Sequence, residues 1–121
     1  MTKKVLTIDD TKTLRMALAI TLKDAGHEVV EAVDGKHGLE VYDQEAPDVI
    51  ITDLNMPVMD GIEFVRECRS RPDGSRVPII ILTTETSSEL KMEGRRAGAT
   101  GWMVKPYNPE KLLSIIDRVC P

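Results

Sequence analysis

Two short segments of consecutive apolar residues constrain the fold of this chain more strongly than any other feature. Val49–Thr52 and Pro78–Leu82 show no alternation between polar and apolar side chains. A strand of this composition is buried on both faces, as happens in the middle of a parallel sheet that helices cover on each side. The two segments therefore predict an α/β domain built around a buried parallel sheet.

The rest of the sequence alternates between strand and helix patterns. Three more strands are predicted, at Val5–Ile8, Glu28–Ala32 and Gly101–Val104. A helical pattern follows each of the five strands, and turn or capping residues mark where four of the helices begin: Asp34, Asp60, Thr86 and Asn108. Five strands alternating with five helices predict a parallel sheet with helices on both faces.

The order of the strands follows from charge and from the handedness of the connections. Glu28 and Glu31 place charged groups on the second strand, which favours an edge position. Right-handed crossovers then leave few topologies. The expected fold class is α/β, a doubly wound five-stranded parallel sheet of flavodoxin-like order 2-1-3-4-5 with five helices, and its switch point lies between the first and third strands.

Length and charge limit the number of domains and the kinds of partner. The 121 residues are expected to form one domain, 1–121, and the net charge of −4 offers no basic face for nucleic acid. The longest apolar run, Ile79–Leu82, is far shorter than the roughly 20 residues that span a membrane. Two cysteines, Cys68 and Cys120, are too few for a disulfide framework and suit a cytoplasmic protein.

Charged and hydroxyl side chains follow the predicted strands at the end where such sheets carry their chemistry. Thr83 follows the fourth strand and Lys105 the fifth. Asp9 and Asp10 follow the first strand, and Asp53 follows the third, its neighbour in the sheet. Since neighbouring strands lie about 4.8 Å apart, the three carboxylates should converge and repel one another unless a cation joins them. An all-oxygen pocket of this kind suits Mg²⁺.

Each of these residues also has an ordinary structural interpretation. Asp10 is equally well interpreted as the N-cap of the first helix, and Asp53 as a polar residue that leaves a strand. Thr83 is a typical strand residue, and a Lys105–Pro106 pair usually marks a turn. Their joint placement at the ends of four strands of one sheet favours the functional interpretation.

The order of these motifs closely resembles that of the response-regulator receiver domain, over essentially the whole chain. The matching residues are Asp9-Asp10, then Asp53-Leu54-Asn55-Met56-Pro57-Val58-Met59-Asp60-Gly61, then Leu82-Thr83, then Lys105-Pro106. With nothing beyond residue 121, the chain is similar to the stand-alone, chemotaxis-type members. The resemblance implies a phosphorylatable switch of a two-component system, expected to be monomeric.

The resemblance also implies a role for each residue at the strand ends. Asp53 would accept a phosphoryl group from a histidine kinase, so the protein would catalyse its own phosphorylation and dephosphorylation without being a metabolic enzyme. Thr83 and Lys105 would contact the phosphoryl group, and the Lys105–Pro106 peptide bond is expected to be cis. The expected ligands of Mg²⁺ are Asp9, Asp10, Asp53 and the backbone carbonyl of Asn55.

Further positions are expected to tune or transmit the signal. Thr84 replaces a residue that is small in the family, so it would narrow access to the phosphorylation site. Asn55 and Glu85 match residues that tune hydrolysis or meet a phosphatase, although Glu85 is also an ordinary surface charge. Trp102 replaces a family aromatic; it is either a packed strand residue or a rotating side chain that reports the state of Thr83. The fourth helix, fifth strand and fifth helix would form the output face.

The expected partners are a histidine kinase, an output target such as a flagellar motor switch protein, and a phosphatase. Two other functions remain open. A Mg²⁺-dependent phosphotransferase or phosphatase for small molecules uses the same aspartyl-phosphate chemistry, but Asn55 stands where its second acid belongs. An unphosphorylated interaction module is the third interpretation, and the complete acidic set with Lys105 speaks against it.

Overall fold

A computed structural model describes residues 2–73 and 76–120. Strands and helices alternate along these residues, with the bounds β1 Lys4–Ile8, α1 Lys12–Asp24, β2 Glu28–Ala32, α2 Gly35–Glu45, β3 Val49–Thr52, α3 Gly61–Arg69, β4 Ile79–Thr83, α4 Ser88–Ala97, β5 Gly101–Val104 and α5 Pro109–Val119. The predicted alternation of strands and helices is confirmed. None of the helices in this part of the chain is long and apolar enough to cross a membrane.

The sheet is parallel, and its strand order is β2-β1-β3-β4-β5. This is the flavodoxin-like order expected from the sequence, with the charged strand β2 at one edge. β1 and β3 are direct neighbours, and their register places Ile8 beside Thr52. The residues that follow these two strands therefore leave the sheet side by side.

The core consists of two apolar layers, one on each face of the sheet. Successive strand residues point to opposite faces, so the uninterrupted apolar strands supply both layers at once. One layer packs against α2 and α3 and contains the fully buried Phe64. The other packs against α1 and α5 and contains Leu18 and Leu112. The buried central strands hold the ends of β1, β3 and β4 in fixed relative positions.

Helix starts follow local capping chemistry, with one correction. Asp60 and Glu63 form the predicted capping box at α3, and Asn108 caps α5. Thr86 was expected to cap α4, but the cap is Ser87, whose hydroxyl accepts a hydrogen bond from the Leu90 N–H at 3.3 Å. Thr86 and Ser87 are both good capping residues, so composition alone does not distinguish the two positions.

The fourth strand also begins and ends one residue later than predicted. β4 starts at Ile79 because Pro78 has no N–H to donate to a neighbouring strand. At the other end, Thr83 pairs with Val104 of β5 and belongs to the strand. Thr83 is thereby held by the sheet itself, not by a mobile loop.

Candidate functional site

Three carboxylates meet at the carboxyl ends of β1 and β3. One oxygen from each of Asp9, Asp10 and Asp53 lies within 4.8 Å of the others. Asp9 is 2% exposed and Asp53 is 8% exposed, whereas Asp10 is open to solvent. The convergence predicted from strand order is present, and it combines two buried acids with one exposed acid.

The first helix does not use Asp10 as its cap. The N-cap of α1 is Thr11, and its side chain makes no capping hydrogen bond. Instead, the Thr11 N–H donates to Asp9 Oδ1 at 2.8 Å, which fixes the orientation of the Asp9 carboxylate. The capping interpretation of Asp10 is therefore wrong, and its carboxylate stays available at the rim of the site.

Lys105 brings a positive charge to the buried acids from the end of β5. Its Nζ lies 3.2 Å from Asp9 Oδ2 and 3.3 Å from Asp53 Oδ1. The Lys105–Pro106 bond that follows is cis, as predicted. Three negative carboxylates and one positive ammonium leave a formal charge of −2 at the site.

The Asp53 carboxylate is electrostatically unfavourable in its ionised form. Burial raises its pKa above the ordinary value, and the neighbouring charge of Asp9 raises the pKa further. Two groups lower the pKa of Asp53 without cancelling this increase: the Lys105 ammonium and the Leu54 N–H. The Leu54 N–H donates to Asp53 Oδ1 at 2.8 Å. A second cation at this site would relieve the remaining repulsion, and oxygen ligands of this kind fit Mg²⁺.

Thr83 and Trp102 are linked through one residue of the β4–α4 loop. Thr83 Oγ1 accepts a hydrogen bond from the Glu85 N–H at 3.2 Å. The Glu85 carbonyl in turn accepts a hydrogen bond from Trp102 Nε1 at 3.1 Å. The Glu85 backbone therefore connects Thr83 and Trp102, the two residues expected to act together as a switch.

The three tuning positions lie around the site in different ways. Asn55 and Thr84 are exposed, and Glu85 is half-buried. A cleft of about 480 Å³ is lined by Thr11, Leu14, Thr84, Lys105, Pro106 and Tyr107. Thr84 and Lys105 therefore line the same cleft.

Two residues that support the site were not singled out from the sequence. Gly61 begins α3 directly against the backbone of Asp53, and a Cβ there would overlap the Asp53 carbonyl oxygen. Arg15 donates from Nη1 to the Asp9 carbonyl oxygen at 2.6 Å and from Nε to Glu31 at 3.1 Å. The Asp60-Gly61 pair was a visible signal for the first residue, whereas no local pattern distinguishes Arg15.

Comparison with known proteins agrees with this geometry. Residues 5–117 match the response regulator receiver domain family. Protein PilH of Pseudomonas aeruginosa is 34% identical over 116 residues, which are 96% of each chain.

Two solved structures are also similar. The chemotaxis response regulator CheY4 of Vibrio cholerae is 50% identical, with a TM-score of 0.92 over 98% of this chain and 99% of that one. The receiver domain of the sensor histidine kinase PA1611 of Pseudomonas aeruginosa is 27% identical, with a TM-score of 0.91 over 99% and 98% of the two chains. That domain coordinates a magnesium ion in its active-site cleft.

Proposed function

This chain belongs to the response regulator receiver domain family, and we propose that it works as a phosphorylatable signalling switch in which Asp53 is the phosphoryl acceptor. Receiver domains are signalling proteins of two-component systems and not metabolic enzymes. The observation that carries the proposal is the cluster at the strand ends, where Lys105 contacts both Asp9 and Asp53 beside a third carboxylate.

The chemistry of the acceptor follows from its surroundings. An oxygen of the Asp53 carboxylate attacks the phosphorus of a phosphohistidine and forms a new P–O bond. The P–N bond breaks, and the imidazole nitrogen keeps the electron pair and takes up a proton. Lys105 and the Thr83 hydroxyl stabilise the charge of the transferred group, which is most of what such a reaction requires.

The acidic residues supply the metal site. Asp9, Asp10 and Asp53, with the backbone carbonyl of Asn55, would hold Mg²⁺, which supplies positive charge next to the oxygens of the phosphoryl group. The net formal charge of −2 at the site supports a divalent ion. Asp9 is held in place for this role by Thr11 and Arg15.

Metal-dependent labelling tests the proposed function. The protein is incubated with a phosphohistidine donor or acetyl phosphate carrying ³²P, with Mg²⁺ or with a chelator. We expect a label that forms only with Mg²⁺ and that base or hydroxylamine removes, since both cleave an acyl phosphate. A chain that takes up no label from either donor in the presence of Mg²⁺ is an interaction module, and the proposal is then wrong.

Replacing Asp10 by asparagine should weaken Mg²⁺ binding. The exchange removes one ligand and one charge, but this side chain is exposed and screened by water. We therefore expect a loss of roughly tenfold in affinity, or about 1.4 kcal/mol, and not the full Coulomb energy of a buried pair. Isothermal titration calorimetry measures the difference. Asp24→Asn, an exposed exchange at the far end of α1, is the matched control, and equal affinities of the two variants would contradict the ligand assignment.

The output of the switch is proposed to pass through the Glu85 backbone to Trp102. A hydroxyl can donate one hydrogen bond and still accept another. When Thr83 donates to the phosphoryl group it can keep its bond from the Glu85 N–H, so a shift of the Thr83 hydroxyl toward Asp53 draws the Glu85 peptide and the indole with it. Trp102 lines a cleft of about 320 Å³ on the face formed by α4 and β5, together with Ser88, Lys91, Met92, Arg95, Ala99, Thr100 and Gly101. A target that reads this face gains affinity only through its different contacts with the two states.

Trp102 fluorescence tests this connection, because Trp102 is the only tryptophan. Adding beryllium fluoride, a phosphoryl mimic, to the Mg²⁺-loaded protein should change the emission beyond any direct effect of Mg²⁺. Thr83→Ala removes the oxygen that accepts from Glu85, so this second change should disappear while ³²P labelling persists. A full emission change in Thr83→Ala would show that the signal reaches Trp102 by another route.

The partners and the place of action complete the proposal. A histidine kinase is the donor, and an output protein reads the α4–β5–α5 face. The similarity to a chemotaxis response regulator supports a flagellar motor switch protein as that output, acting in the cytoplasm. Thr84 beside Lys105 supports slow entry of small donors and of the hydrolytic water, and exposed Asn55 is where a phosphatase would approach.

A further inference from the structure

Gly94 occupies an unusual position in α4. The helix runs over Ser88–Ala97, so Gly94 lies in its interior, where glycine is among the least favourable residues. Gly94 is also the only buried residue of this helix, all of whose residues are described. Because glycine weakens the helix at its one buried position, we infer that a side chain cannot be accommodated there without moving a neighbouring group.

The space left by that missing side chain is filled by Trp102. A Cβ at position 94 would lie 3.0 Å from Trp102 Cζ3 and 3.3 Å from Cε3, closer than ordinary contacts allow. The same Cβ would lie 3.3 Å from Ile81 Cδ1, and Ile81 is the register partner of Trp102 across β4 and β5. The six-membered ring of the indole is therefore packed directly against the backbone of α4.

The opposite edge of the indole is also held. Its Nε1 donates to the Glu85 carbonyl at 3.1 Å, on the loop that leads into α4. The ring is thus positioned by a hydrogen bond at one edge and by backbone contact at the other. An outward movement of the ring would break the hydrogen bond and expose apolar surface together.

We propose that Gly94 is a positioning residue of the switch, which admits the indole of Trp102 to its inward seat between α4 and Glu85. The proposal rests on the proposed function in taking Trp102 as the side chain that reports the state of the site. Trp102 forms part of the wall of the α4–β5 cleft with Met92 and Arg95. Residue 94 therefore acts on this cleft through the position of the Trp102 ring.

Two substitutions of increasing size test the seat in the metal-free protein. Gly94→Ala should move the indole slightly and Gly94→Leu should displace it, so emission shifts to longer wavelength and acrylamide quenching increases in that order. Glu93→Ala and Glu93→Leu are the matched controls, because Glu93 is exposed on the same helix. Wild-type emission and quenching in both Gly94 variants would overturn the proposal.

A double-mutant cycle keeps the test decisive if Gly94→Leu fails to fold. In the Trp102→Ala background the Cβ at residue 94 meets only the end of the Ile81 side chain, which can shift, so Gly94→Ala should raise the denaturant midpoint through better helix propensity. With Trp102 present, the same substitution should raise the midpoint less or lower it. Circular dichroism measures the denaturant midpoints. Equal midpoint shifts in the two backgrounds would show that residues 94 and 102 do not compete for space and would overturn the proposal.

The response to phosphorylation separates this inference from the proposed function. Gly94→Ala should keep ³²P labelling and Mg²⁺ affinity, since the acidic site is untouched, yet show a smaller emission change with beryllium fluoride. If beryllium fluoride changes the emission of Gly94→Ala as much as that of the wild type, Gly94 does not position the indole. Absence of labelling in the wild type would contradict the proposed function alone, because the quenching series and the cycle still measure the seat.

Discussion

Asp53→Asn is expected to abolish phosphoryl transfer to this chain. The amide keeps the size and shape of the carboxylate but has no anionic oxygen to attack phosphorus. ³²P labelling with Mg²⁺ should therefore fall to background with both phosphohistidine and acetyl phosphate. The matched control is Asp117→Asn, an exposed exchange on α5 that should label like the wild type. Label retained at the wild-type level in Asp53→Asn would require a different acceptor.

The same variant should be more stable than the wild type when no metal is present. The folded protein raises the pKa of Asp53, so the ionised carboxylate opposes folding once the pH exceeds its ordinary value of 3.8. The stability advantage of asparagine should thus appear as the pH rises through the raised pKa and vanish below the ordinary value. Urea denaturation at several pH values with a chelator measures it. An Asp53→Asn protein less stable than the wild type at neutral pH would contradict the electrostatic description of the site.

Among the glycines that the structure describes, Gly61 is the one whose exchange for alanine is expected to have the largest effect on stability. The new Cβ would overlap the Asp53 carbonyl oxygen and would lie 3.0 Å from Leu54 Cα, and backbone atoms cannot rotate away as a side chain can. We expect destabilisation of about 3 kcal/mol, at the upper end of the usual cost of overpacking. The strain falls on Asp53, the proposed acceptor, so labelling should also slow in the fraction that remains folded.

Gly101→Ala is the matched control, and it should change the folding stability in the opposite direction. A Cβ at residue 101 would meet only Ile80 Cγ1, at 3.8 Å, which is an ordinary contact. At a compatible backbone position, alanine stabilises a protein relative to glycine by roughly 0.4–1 kcal/mol, because it restricts the unfolded chain more, so the variant should be slightly more stable than the wild type. Urea midpoints of the two variants give the comparison. A Gly61→Ala protein as stable as Gly101→Ala would show that the β3–α3 connection is not tightly packed.

Much of the fold could be predicted because the information is local. Uninterrupted apolar strands require burial on both faces, and the charged residues of β2 suit an edge, so the order of the sheet followed from a few short segments. Strand order in turn predicted that acids at the ends of β1 and β3 would meet. The misplaced cap at α4 shows the limit of such patterns, since adjacent Thr86 and Ser87 have the same capping chemistry.

The sequence by itself determined which residues reach the carboxyl-terminal edge of the sheet, because local periodicity sets where each strand ends and parallel pairing brings those ends together. Only the tertiary structure decided what each of them contacts. Lys105 reaches Asp9 from 96 residues away, and the Glu85 backbone joins Thr83 to Trp102. A Cβ at Gly61 would overlap the Asp53 carbonyl oxygen, and a Cβ at Gly94 would crowd the Trp102 ring. Such contacts depend on ångström-scale distances between packed elements, and no repeat along the chain encodes those distances.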